Sequence, residues 1–211
     1  MPTTQGQNSA RVIPVLVAIL TCVACPILAA DKPKKEKWIT TTQKLEGAPY
    51  TFSYIRFEKP ITVQPVPLDK ISRKTPEDFM IAAVSIRTHG KGEDGLKRFC
   101  SLHENGTAMR KRLARMGYTW EKMSRSREQM EKVFDPAQMF GKIKYRGHIL
   151  LVAGMRHKKT GSTRYVGVCL KEKNGIYCQA DKSKLADRFP FFMHISADDY
   201  SVITGGEEKT E

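Results

Sequence analysis

The fold class expected of this 211-residue chain is α+β: a curved antiparallel sheet packed against N-terminal helices, with an extra strand pair ahead of them. Three stretches carry that expectation. In Lys144 to Ala180 the apolar runs YRGHILLVAGMRH, TRYVGVCL and IYCQA are separated by KKTGS and KEKNG, the pattern of a three-strand meander. Thr75-Pro76-Glu77-Asp78 opens a helix whose Phe79, Ala82, Ala83 and Ile86 fall at i, i+3, i+4 and i+7, one buried face. From Thr107 to Phe134, Met109, Met116, Met123 and Met130 recur every seven residues, an apolar stripe on a helical period.

The elements follow in order. Arg11 precedes an uncharged run from Val12 to Ala30 that ends in small residues. A positive start, apolar centre and small-residue end make residues 1–30 a secretory signal cut after about Ala30. An N-terminal membrane anchor is the alternative, since the run is just long enough to span a bilayer and Lys32, Lys34 and Lys35 follow it. Cys25 offers a weaker reading as a lipidation site, against which Cys22 stands where such signals carry leucine. Residues 31–74 then hold a frayed charged start, two strands (Trp38 to Leu45 and Tyr50 to Glu58) and an extended connector fixed by Pro60, Pro65 and Pro67.

Residues 75–200 form the expected α+β domain. Its first helix stops near His89-Gly90, and a shorter one starts near Asp94 and breaks at Asn105-Gly106. The methionine stretch is either one helix or two broken at Gly117. Leu113, Trp120 and Phe134 lie four residues after their methionines, with Arg127 in the remaining slot. In the meander, Tyr145, Ile149, Leu151, Ala153 and Met155 share one parity, and Arg146, His148, Leu150, Val152 and Arg156 the other. Such a strand is apolar on both sides in its middle. Asn174-Gly175 tolerates the positive φ of a tight hairpin. Asp187 to Ile195, with its FPFFMH, reads as a last strand or core-covering turn, and residues 201–211 as a disordered tail.

The net charge is +14, so anionic partners are favoured: nucleic acid, acidic lipid headgroups or acidic wall polymers, with a protein partner also open. Nucleic acid is not expected outside the cytoplasm. Cys100, Cys169 and Cys178 remain after the signal. In an oxidising compartment Cys169 and Cys178 face each other across a hairpin as a candidate disulfide, with buried unreacted thiols as the alternative.

The Thr75-Pro76-Glu77-Asp78 start, the Gly90 to Asp94 break followed by Leu96 and Phe99, and the Lys173-Asn174-Gly175-Ile176 turn give the chain a resemblance to the NTF2-like superfamily. It covers about Thr75 to Asp181. The long methionine region and Ile176 in place of the family's common tryptophan depart from the pattern. The resemblance implies a cone-shaped sheet around a long helix. In the family's enzymes, acids, tyrosines and histidines line the cone's interior. The corresponding pocket candidates here are Tyr145, His148, Tyr165 and Tyr177, with Asp181 at the rim. Their parities do not converge, since Tyr145 and His148 lie on opposite faces of one strand.

Other constellations are better read as structure. Gly90, Gly92 and Gly95 match G-x-G-x-x-G, but a helix precedes them, Glu93 and Asp94 would repel phosphate, and Arg115 stands where the ribose acid belongs. They read as a helix–helix turn. Cys100 and His103 lack the paired spacing of a zinc site, so no metal and no cofactor is expected. Arg110, Lys111, Arg112 and Arg115 are the candidate anion-binding residues on the back of the methionine stripe. That stripe faces the sheet, a partner's groove or an anionic membrane surface, the first being the usual fate of an amphipathic helix. The chain is therefore read as an exported, non-catalytic binding or scaffold protein of the cell envelope. A small-molecule enzyme of the isomerase, hydrolase or dehydratase kind, using a cone's interior, is the alternative.

Overall fold

The computed structural model describes residues 37–45 and 48–181, all within one compact unit spanning Glu36–Glu211. Residues 1–30, expected as a signal, the FPFFMH segment and residues 201–211 lie outside the described residues. The architecture of the described residues is α+β: a six-stranded antiparallel sheet in simple meander order with four α-helices between its second and third strands. The strands are β1 (Ile39–Leu45), β2 (Ala48–Thr62), β3 (Gln138–Tyr145), β4 (His148–Arg156), β5 (Thr163–Lys173) and β6 (Ile176–Gln179). The helices are α1 (Pro76–His89), α2 (Gly92–Ser101), α3 (Gly106–Arg115) and α4 (Trp120–Val133). None of the helices among the described residues is long and apolar enough to cross a membrane.

Two findings revise the expected sheet. The N-terminal strand pair is continuous with the meander, because β2 pairs with β3 from Ser53↔Lys144 to Thr62↔Gln138. The run expected as one strand from Lys144 to Arg156 is split by a two-residue hairpin at Arg146-Gly147, with φ of 44° and 76°. Both central residues have positive φ, as at Asn174-Gly175 (54° and 74°), the backbone that matches strand twist. Asn-Gly announces that turn in sequence, whereas arginine does not. The hairpin makes Tyr145 and His148 directly opposed partners on one face rather than residues on opposite faces.

One face of the sheet carries the larger core. Phe79, Ala82 and Ile86 of α1 join Met139, Leu151 and Leu170 of the strands with Trp120 of α4, all nearly or fully buried. Each large apolar side chain so buried contributes about 1.5–3 kcal/mol. The helix start forms as its sequence dictates: Thr75 accepts from the Asp78 amide while the Asp78 carboxylate accepts from the Thr75 amide, a reciprocal cap with Pro76 at the first turn. On the other face Phe52, Ile143, Leu150, Val152 and Cys169 cluster with Tyr50, Tyr54, Phe140, Tyr145 and Tyr165.

Pro60, expected in the connector, lies instead within β2, and the connector proper begins at Val63 and lies over α1. Ser85, fully buried in α1, accepts from the Val66 amide at 2.8 Å and donates to the Ile81 carbonyl at 2.7 Å. The Val63 amide donates to the Ala137 carbonyl at 2.8 Å. These bonds hold the connector against α1 and the start of β3, and that is where the candidate site opens.

The expected Cys169–Cys178 disulfide is not formed. The β5–β6 register sets Cys178 opposite Lys171 and passes an Ala180 N–H···O bond to Cys169, so the two cysteines are staggered rather than facing. All three cysteines outside the N-terminal segment are buried thiols.

Candidate binding cleft

The methionine stripe is two helices broken at Gly117, whose φ of 62° suits the glycine there. Each begins on a side-chain cap: Asn105 accepts from the Ala108 amide at 3.0 Å, and Thr119 from the Lys122 amide at 3.4 Å. Lys122 Nζ reaches back to the Gly117 carbonyl at 2.7 Å and closes the turn between them.

Leu113 and Trp120, the residues four after their methionines, are the ones that are buried. Trp120 is seated by the glycine-rich turn. Its Nε1 donates to the Gly90 carbonyl at 3.1 Å, and a Cβ at Gly90 or Gly95 would come within 2.7 Å of its ring. The G-x-G-x-x-G match is therefore a seat for an indole.

The methionines have a different fate. Met109, Met116, Met123 and Met130 all line one open cleft of about 740 Å³, and Met123 also packs against the core between α1 and the sheet. Val84 of α1, Val63 of the connector, Phe134 and Ala137 after α4, and Met155 of β4 complete its apolar wall. Met116 stays 53% exposed and Tyr118 45% exposed at its mouth. A helical stripe left this open after folding is apolar surface that the chain's described elements leave uncovered.

Charge is set around this wall. Arg87, Arg112, Arg127 and Lys158 lie along the cleft with Glu131 and Asp135, four cations to two carboxylates. Arg127 pairs with Glu131 at 3.3 Å and donates to the Arg87 carbonyl, and Lys158 Nζ donates to the Glu131 carbonyl at 2.6 Å. The Arg87 guanidinium sits 5.4 Å from the centre of the Phe99 ring, and burial lowers its pKa. The expected basic patch divides: Arg112 borders the cleft, Arg110 is tied to Glu93, and Lys111 and Arg115 are exposed.

The pocket candidates do not form one wall. Tyr145 and Tyr165 belong to the cluster on the face away from α1, Tyr177 to the cluster that includes α1. Tyr145 stacks edge-on with Tyr50 at 6.2 Å and borders a shallow hollow of about 640 Å³ at the β1–β3 ends, with Trp38, Lys144 and Arg146. His148, opposite Tyr145, has Nδ1 3.2 Å from the Arg146 carbonyl. Asp181 follows β6 by two residues, its amide 3.4 Å from Glu104 Oε2.

His103 stacks on Phe99 at 5.4 Å, and its Nε2 is buried without a hydrogen bond. Burial, then the nearby Arg87 charge, pushes its pKa down to about 4. Cys100 is buried and its thiol pKa raised, chiefly by burial. Among the described residues no group of three or more metal-ligating side chains is assembled.

Arg87, Lys158, Phe134 and Met155 are site residues that sequence spacing does not single out as a set. The sevenfold methionine repeat, with Arg127 and Phe134 in its slots and Arg112 on its back, pointed to this surface, and it fixed one wall rather than the opposite one. No known family model, curated protein or solved structure matches the chain.

Proposed function

We propose that this chain is a non-catalytic binding module, exported to the cell envelope, whose working site is the methionine-lined cleft. One observation carries the reading: four methionines spaced by seven converge on a single open apolar cleft, at whose base Met123 also touches the core. Methionine side chains are flexible and polarisable, which suits a surface that must fit apolar groups of more than one shape. The cationic excess along the cleft supports an anionic partner.

The NTF2-like cone remains part of the proposal, supported by the reciprocal cap at Thr75, the glycine break after α1 and the Asn174-Gly175 hairpin. The enzyme reading needs tyrosines and an acid on one wall, and the split of Tyr145 and Tyr165 from Tyr177 does not support that. Export and the anionic envelope partner rest on the N-terminal sequence and the net charge.

The test is titration of the chain with anilinonaphthalene sulfonate, an apolar anionic dye that brightens when shielded from water. The folded protein should bind it, and Met116→Glu, at an exposed position, should abolish binding without changing the circular dichroism. Unaltered dye binding by that variant would contradict the reading.

A further inference from the structure

We infer that the cleft's occupant is an acidic amphipathic helix of a partner protein. This rests on the cleft being the binding site and goes further by naming what fills it. Shape comes first. A small ligand is held by a pocket that surrounds most of its surface, whereas this mouth leaves Met116 and Tyr118 about half exposed. A helix brings its own second wall and covers those residues as it docks. Along one side the cleft runs with α4, whose 14 residues extend about 21 Å at the helical rise, enough to meet a helix of about four turns. Such an occupant presents apolar side chains at i, i+3, i+4 and i+7 to the methionines.

Charge then selects its flanks. Of the cleft's two carboxylates, Glu131 is already paired with Arg127, while Arg112 and Lys158 remain exposed beside the apolar wall. Glutamate or aspartate on the partner's flanks meets these cations, and lysine there is repelled. A membrane surface fits less well. Its acyl region needs apolar groups on a projecting face, whereas Met109, Met123 and Met130 are half-buried in a cleft bordered by α1, α3, α4 and the connector, with only Met116 of the four exposed.

The experiment is calorimetric titration of the full chain with two synthetic peptides of about 14 residues, with one leucine face and either glutamate or lysine flanks. The glutamate peptide should bind about tenfold more tightly at low salt, with the gap closing at high salt. Arg112→Glu should narrow the gap, and Met116→Glu should remove binding of both peptides. Equal affinity for the two peptides would overturn the inference. So would binding to anionic phospholipid vesicles that Met116→Glu abolishes, since the occupant would then be a membrane. If the dye binds at the cleft and neither peptide does, the occupant is a small apolar ligand: this inference fails while the binding function stands. If neither dye nor peptide binds, both fail.

Discussion

At Gly95 the absence of a side chain is what lets Trp120 lie flat against α2, since a Cβ there would meet the ring at 2.7 Å. Gly95→Ala should therefore destabilise the fold by about 1–3 kcal/mol through overpacking, read as a lower urea midpoint. The glycines were visible in the sequence as a break, but the indole they seat lies 25 or more residues downstream and has no local signature. Lys142 gives a second case. Its ammonium is buried beside the Glu77 carboxylate at 2.7 Å, linking β3 to the first turn of α1. Removing one partner of a buried pair leaves the other desolvated. Lys142→Ala should cost about 3 kcal/mol or more, and Lys142→Met, which keeps the volume, distinctly less in the same unfolding assay. Sequence alternation alone could not assign that lysine to the buried face, because lysine in a strand ordinarily marks the solvent side.

His103 extends the residue scale to pH. Its folded pKa of about 4 lies below the ordinary value of 6.5, so the folded protein holds it neutral where the unfolded chain would protonate it. The unfolded state then binds more protons between those values, and stability falls as pH drops from about 6.5 towards 4, by at most about 3 kcal/mol. His103→Gln should flatten that part of the stability profile. An unchanged slope would place the pH dependence elsewhere.

Among the elements, the connector and α1 act as one unit through Ser85. Its hydroxyl is the acceptor for the Val66 amide, so Ser85→Ala leaves a part-buried N–H unmatched and should cost about 1–3 kcal/mol. Faster hydrogen exchange at Val66 would locate the loss, while unchanged protection there would refute the coupling. The helix boundaries were partly legible because caps, prolines and glycines are local: Thr75 and Gly117 act where the sequence places them, whereas α2 ends at Ser101, ahead of the expected break, and Asn105 caps α3. The β3–β4 hairpin was not, because Arg146 gives no turn signal and Gly147 alone permits several. β3 itself was missed, since Gln138 to Ile143 is short and interrupted by Gly141, and only pairing with β2 and β4 identifies it.

For the whole molecule, the α+β class follows from local periodicity, while the site depends on how α3 and α4 turn. A sevenfold stripe fits burial against a sheet as well as it fits a cleft. What separates the two is that Trp120 fills the interior against α1, while Leu113 lines the cleft together with the methionines. The most direct test of this account is methyl NMR of the full chain with its methionines labelled, titrated with the glutamate-flanked leucine helix. The methyls of Met109, Met116, Met123 and Met130 should shift together, while Met139, fully buried against α1, stays in place. A Met139 shift as large as theirs, or four cleft methyls unmoved at saturation, would contradict the cleft as the binding site.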